Sequence, residues 1–184
     1  MSFEFATSGR ILFGEGAVAQ AAPAAAQLGQ RVLLVTGANG ERAAGLEARL
    51  QSTALAVMPF RVPGEPTIDL TREGAEFARG ERCDVVIAMG GGSAIDAGKA
   101  LAAMLANPGE PLDYLEVVGR GLPLVHPPAP FIAIPTTAGT GSEVTRNAVL
   151  ASPEKRVKAS LRSPHMLPRM AIVDPELTLG APRA

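Results

Sequence analysis

The chain carries three short, continuously apolar runs, and each stops at a glycine- or hydroxyl-rich turn. Arg31-Val-Leu-Leu-Val-Thr36 runs into Gly37-Ala-Asn-Gly40. Asp84-Val-Val-Ile-Ala-Met89 runs into Gly90-Gly-Gly92. Phe131-Ile-Ala-Ile134 runs into Pro135 and then Thr136-Thr-Ala-Gly-Thr-Gly-Ser142. A strand with one wet face alternates apolar and polar residues; these do not. They read as strands buried on both faces, the signature of a parallel sheet covered by helices. The intervening stretches supply the helices: Ala17 to Leu28 with Pro23 as a blemish, Glu41 to Gln51, Ile68 to Arg82 and Ser93 to Asn107. The expected fold class is therefore α/β, an open, mainly parallel sheet flanked by helices, with residues 1–184 as one domain.

Weaker signals complete the pattern. Arg10 to Phe13 reads as a strand paired with Phe3-Glu-Phe5. Ala56 to Phe60 reads as an edge strand, because Pro59 has no N–H to give a neighbour. Asn147 to Leu150 and Val157 to Leu161 read as a pair around Ser152-Pro153, Met170 to Val173 as a last strand, and Pro108 to Pro130 as mostly loop. Aromatic residues are only 4% and Trp is absent, so the core must be aliphatic. Basic and acidic residues number 17 and 18, which gives no electrostatic case for nucleic acid or an anionic membrane as partner. One cysteine, Cys83, excludes an internal disulfide. The longest apolar stretches reach about half of the roughly 20 residues a membrane span needs, and no signal-peptide pattern opens the chain. A cytoplasmic protein is expected. The helix from Ser93 has almost no polar face beyond its first turn and Lys99, so it must be covered on every side. Neighbouring elements on the same sheet face can do this, and so can another domain or subunit.

The turns are the candidate sites. Gly90-Gly-Gly-Ser-Ala-Ile-Asp96 lies where a strand meets a helix, and its glycines let a ligand approach the unpaired N–H groups of the helix start, an arrangement that suits phosphate. It is neither a P-loop, since positions 93 and 100 are Ser and Ala, nor a G-x-G-x-x-G turn, since position 95 is Ile. The competing reading makes Ser93-x-x-Asp96 a capping-box variant. Asp96 and Lys99, three apart, suit an ion pair or place Asp96 at the rim of a site. The hydroxyls of Thr136, Thr137, Thr140 and Ser142 follow another buried strand, where open parallel sheets bind ligands. After Thr36 the chain offers Gly37, Asn39 and Arg42, with no acid at positions 37 to 40. An acid there would bond an adenosine ribose; its absence, with a cation nearby, suits a 2′-phosphate. His126 and His165 sit in proline-containing loops and read as solvated rather than metal-ligating. The metal ligand set is therefore none.

Taken together, Gly90-Gly-Gly-Ser-Ala-Ile-Asp-Ala-Gly-Lys99 and Ala133-Ile-Pro-Thr-Thr-Ala-Gly-Thr-Gly-Ser-Glu-Val-Thr145 resemble the motifs of the iron-containing alcohol dehydrogenase family. Ile11-Leu-Phe-Gly-Glu-Gly16, Val62 to Ile68, Asp113-Tyr-Leu-Glu116 and Ala171-Ile-Val-Asp-Pro175 match in the same order. The resemblance implies a Rossmann-like NAD(P)-binding domain followed by an all-helical domain whose one Asp and three His hold the metal in the cleft between them. The first ligand motif, Asp-x-x-x-His, is expected shortly after Leu177 and is not found before Ala184. The chain is thus expected to be the cofactor half, without the helical metal-binding domain, and inactive alone. By the same resemblance Gly91, Gly92, Ser93, Thr136, Thr137 and Thr140 contact the cofactor. Asp96 lies towards the nicotinamide as the catalytic candidate, and Val149 and Lys158 approach the adenosine or its ribose. Gly37 departs from the Asp of many NAD-preferring members, so the cofactor is NADP or NAD. Fe²⁺ or Zn²⁺ belongs to the full-length parent, a small alcohol or aldehyde is the substrate, and a homo-oligomer is expected. Two alternatives stay open: a stand-alone dinucleotide-binding module without catalysis, and the cofactor half of a related glycerol dehydrogenase or maleylacetate reductase.

Overall fold

In the computed structural model, which describes residues 2–180, six strands form one sheet in the order β1-β8-β5-β4-β2-β3. They are β1 (Ile11–Phe13), β2 (Arg31–Thr36), β3 (Ala56–Arg61), β4 (Val85–Gly90), β5 (Phe131–Pro135) and β8 (Met170–Val173), and every adjacent pair is parallel. A separate antiparallel hairpin is made by β6 (Asn147–Ser152) and β7 (Val157–Arg162). The helices are α1 (Ala21–Ala26), α2 (Ala44–Ser52), α3 (Ile68–Gly80), α4 (Gly92–Ala106) and the one-turn α5 (Pro111–Tyr114). The expected Rossmann-like α/β class is what the chain adopts. The limits of the expected domain at Met1 and Ala184 lie outside the described residues.

The continuous apolar runs are buried on both faces, as their lack of alternation predicts. Leu33, Val35, Val86, Ala88, Phe131 and Ala133 point to one side, into a core shared with α3, α4 and the hairpin. Val32, Leu34, Val85, Ile87, Ile132 and Ile134 point to the other, into a core shared with α1 and α2. Pro59 sits on β3, the sheet's edge, opposite Leu34, where its missing N–H faces no further strand.

Two expectations are corrected and one open choice is decided. Residues 3–5 form no strand. Strand β1 instead pairs with β8, bracketed by Gly9 N–H to Pro168 O (3.0 Å) and Gly14 N–H to Val173 O (3.1 Å), and Phe3 and Phe5 are exposed. The helix read from Ala17 starts as a 3₁₀ turn, Ala17–Gln20, and becomes α-helical only at Ala21. Pro23 explains this: an α-helix running through residue 19 would drive the proline ring into the Ala19 carbonyl, whereas in the first turn from Ala21 its missing N–H costs nothing. The open choice concerns α4, which is covered by neighbouring elements of this chain. The β6–β7 hairpin lies over the face that the sheet and α3 leave open, and Ala148, Leu150, Ala159 and Leu161 complete its enclosure. Burying Leu150 and Leu161 there contributes about 1.5–3 kcal/mol each.

Glycine sets how closely α4 approaches the sheet. A Cβ on Gly98 would lie 2.6 Å from the Ala88 Cβ and 2.8 Å from the Phe131 ring. Alanine gains about 1 kcal/mol of helix propensity over glycine, but overpacking against backbone-anchored neighbours costs about 1–3 kcal/mol. Gly98→Ala is expected to lower the urea midpoint despite the better helix former; an unchanged or higher midpoint would show that α4 can retreat freely.

Candidate functional site

Parallel pairing brings the glycine-rich and hydroxyl-rich turns together. Gly90 and Pro135 are register partners at the carboxyl ends of β4 and β5, and the Thr136 N–H donates to the Gly90 carbonyl at 2.9 Å. The turns then face each other across a narrow gap. A Cβ on Gly91 would lie 3.4 Å from Thr137 Oγ1, and one on Gly92 would lie 3.6 Å from Thr140 Cγ2. The Gly37 loop joins from the other side, since a Cβ on Gly90 would lie 3.4 Å from the Gly37 nitrogen. Thr136 is buried, whereas Ser93, Thr137 and Thr140 are exposed around the start of α4.

That helix start is open. Its N-cap is Gly91 and no side chain caps it. The capping-box reading of Ser93 and Asp96 is therefore corrected. Asp96 turns away from the helix start, accepting from the Ser142 hydroxyl with one oxygen and from the Val149 N–H at 3.1 Å with the other. The first-turn amides of a four-turn helix and its positive dipole end are left facing a glycine gap rimmed by hydroxyls, which suits a pyrophosphate.

Asp96 also pairs with Lys99 at 3.1 Å. The Lys99 ammonium has no exposed surface; it donates to Thr145 Oγ1 at 3.1 Å and to the Asn147 carbonyl. Burial pulls the Lys99 pKa below its ordinary 10.5, while Asp96 and then Glu143 oppose that shift. Both carboxylate oxygens of Asp96 are thus occupied in joining α4 to the hydroxyl turn and to β6. The expected ion pair is formed, and it has these further partners. Beside it lies a hollow of about 90 Å³ lined by Ser93, Asp96, Val149 and Lys158, together with Glu65 and Pro66. Four residues named from the sequence, spread over 65 positions, therefore meet at one place. Lys158 pairs with Glu65 across it.

In the Gly37 loop, Asn39 caps a 3₁₀ turn, accepting from the Glu41 N–H at 3.2 Å, so its amide NH₂ is left to donate. Space around Gly37 is open, with nothing within 4 Å of a built Cβ. The Arg42 guanidinium does not return to the loop; it lies against Gly180. Arg61, at the end of β3, lies against Gly40 instead. The sequence reading passed over Arg61 because it is 24 residues from Gly37 in the chain and adjacent only through β2–β3 pairing. Glu65 was missed because it meets Lys158 only across 93 residues of chain. Asp174, in one of the motif matches, is fully buried and structural: it accepts from the Val18 and Glu176 N–H groups, each at 3.1 Å. Cys83 is buried, and its thiol pKa is pushed up to about 11, chiefly by desolvation, which makes it a poor nucleophile. Among the described residues no group of three or more His, Cys, Asp or Glu is placed to hold a metal, and no helix is long and apolar enough to cross a membrane.

Fold and site together define a Rossmann-like α/β domain with its candidate ligand edge at the carboxyl ends of β2, β4 and β5. The chain belongs to the iron-containing alcohol dehydrogenase family, whose model matches residues 8–175. It is 41% identical over 157 residues to 4-hydroxybutyrate dehydrogenase of Cupriavidus necator, covering 83% of this chain and 40% of that protein. Among solved structures it matches 1,3-propanediol oxidoreductase with a TM-score of 0.88 and 32% identity, over 99% of this chain and 48% of that one. It also matches sulfoacetaldehyde reductase from Bifidobacterium kashiwanohense in complex with NAD⁺, with a TM-score of 0.87 and 33% identity, over 99% and 48%. The chain spans about half the length of these relatives or less and corresponds to their N-terminal domain.

Removing the carboxylate from the buried pair tests its weight. Asp96→Ala leaves the Lys99 ammonium enclosed without its counter-ion, a change worth about 3–5 kcal/mol of stability. Adding Lys99→Met should recover part of the loss. Urea unfolding of both variants checks this, and equal losses would show that Asp96 stabilises only through Ser142 and Val149. Because the folded state holds the Lys99 proton less tightly than the unfolded chain does, stability from this residue rises with pH between its folded pKa and 10.5. Lys99→Met should remove that rise.

Proposed function

We propose that this chain is the NAD(P)-binding domain of a metal-dependent alcohol dehydrogenase, which passes a hydride between a small alcohol or aldehyde and the nicotinamide. The observation that carries this reading is the uncapped start of α4, set in a gap that Gly91 and Gly92 keep clear and that Thr137 and Thr140 rim. It is supported by a similar structure that binds NAD⁺ and by relatives named as dehydrogenases and reductases of small hydroxy or aldehyde compounds.

The nicotinamide ring supplies the hydride chemistry when bound. The chain's own residues bind and orient. The Gly92 and Ser93 amides at the helix start and the hydroxyls of Ser93, Thr136, Thr137 and Thr140 hold the pyrophosphate by charge-assisted hydrogen bonds. Val149 and Lys158 flank the hollow next to Ser93 and take the ribose side. Asp96 is a positioning residue, fixing Ser142 and Val149 in relation to the helix start. The described residues do not fit a metal, so no step through one is assigned to them. The same reading includes self-association: Ile11 and Phe13 leave the β1 edge of the sheet apolar and exposed.

Gly92→Ala narrows the gap without disturbing the fold, because even the nearest neighbour of a Cβ there is at ordinary contact distance. The affinity of the purified chain for NAD⁺ or NADP⁺, measured calorimetrically, should fall by about tenfold or more, while the melting temperature stays near that of the parent. Undiminished binding would refute the cradle. Gly37 lacks a side chain to repel a 2′-phosphate, and its surroundings leave room for one. Gly37→Asp should shift preference towards NAD⁺ by on the order of 1–3 kcal/mol, the size of a charge-assisted contact. NAD⁺ binding that is already tighter than NADP⁺, and is unchanged by the substitution, would show that Gly37 merely turns the chain.

A further inference from the structure

The cation that a 2′-phosphate would meet is not the one nearest in sequence. We infer that Arg61, projecting from the end of edge strand β3, is the residue that selects NADP by holding the 2′-phosphate of its adenosine ribose; this rests on the cofactor reading above. Arg61 is the register partner of Thr36, the residue before Gly37, and the Val62 N–H continues the pairing by donating to the Thr36 carbonyl at 2.8 Å. Its side chain folds over the Gly37–Gly40 loop: a Cβ built on Gly40 would lie 2.9 Å from Arg61 Nε and 3.3 Å from both Cζ and Nη2. Glycine at position 40 is therefore what lets a guanidinium lie flat against the loop. Any larger residue would displace it.

The charge of this arginine is otherwise unspent. Among the described residues Arg61 makes no hydrogen bond and no ion pair, and its side chain is exposed. Its neighbours at the loop are complementary. Gly37 offers no carboxylate, and Asn39 has its amide NH₂ left to donate. Glu41, the exposed residue after the loop, gives its backbone N–H to Asn39. Arg42, the cation that spacing alone suggests, lies against Gly180. In open parallel sheets the strand beside the phosphate-binding turn ends next to the adenosine ribose, where an arginine accommodates a 2′-phosphate. Here that strand is β2, and the cation reaches its end from the neighbouring strand. A guanidinium fork held by the loop can bind two phosphate oxygens at once, which a 2′-hydroxyl cannot match.

Calorimetric titration of the full 184-residue chain with NADP⁺ and with NAD⁺ tests this, in the parent and in Arg61→Gln, Arg61→Lys and Arg42→Gln. Arg61→Gln is expected to weaken NADP⁺ by about tenfold or more and NAD⁺ by less than about threefold. Arg61→Lys should fall between, and Arg42→Gln should leave the ratio of the two affinities as in the parent. Adenosine 2′-phosphate should displace NADP⁺ from the parent better than adenosine 5′-phosphate does, and lose that advantage in Arg61→Gln. Equal weakening of both dinucleotides by Arg61→Gln would overturn the inference, since it would mean packing against the adenosine rather than phosphate recognition. So would NADP⁺ binding that follows Arg42 instead. A parent that binds NAD⁺ but not NADP⁺ refutes the inference and leaves the cofactor reading standing; a parent that binds neither refutes both.

Discussion

Parallel pairing of six strands is the constraint on which the rest of this molecule depends. Strands that all run one way deliver all their carboxyl ends to one edge of the sheet, and every return must cross a face. The crossings put α1 and α2 over one face and α3 and α4 over the other. The deliveries put Gly37, Gly91 and Thr136 side by side although almost a hundred residues separate the first from the last. No single turn is a ligand site by composition. Their adjacency, fixed by backbone hydrogen bonds within a buried sheet, makes one edge rich in glycine, hydroxyls and unpaired amides.

A second layer of order lies on α4. Its only charged side chains, Asp96 and Lys99, are spent inward, tying the helix to the hydroxyl turn through Ser142 and to the hairpin through Val149, Thr145 and Asn147. Enclosing an ammonium is costly, and here the cost is offset by a carboxylate and two oxygen acceptors. What the pair adds is placement: the hydroxyl turn cannot drift from the helix start while Ser142 is held by the same carboxylate that holds β6.

The sheet was legible where strands are buried on both faces, because β2, β4 and β5 have nothing polar to interrupt them. Their turns stood out as candidate sites because glycine and threonine cluster there. Less legible were features decided by partners distant in sequence. Phe3-Glu-Phe5 has a strand-like composition, yet the pairing of β1 is taken by β8, more than 150 residues away. Arg42 and Arg61 are indistinguishable as isolated exposed arginines; only strand register shows which one reaches the Gly37 loop. Likewise Ser93-x-x-Asp96 fits a capping box by spacing, but Asp96 finds a stronger pair of donors in Ser142 and the Val149 N–H. Local patterns described local structure well and could not anticipate competition from elsewhere in the chain.

The strand order has a consequence for the sequence of events in folding. Strand β1 touches the sheet only through β8. As the chain leaves the ribosome, β1 emerges first and must wait until almost everything described here has been made before its partner exists. The four strands β3-β2-β4-β5 can assemble in the meantime, and the open side of β5 stays unpaired until β8 arrives. During that interval the backbone N–H and C=O groups of β1 and the open side of β5 lack the one strand, β8, that later pairs with both.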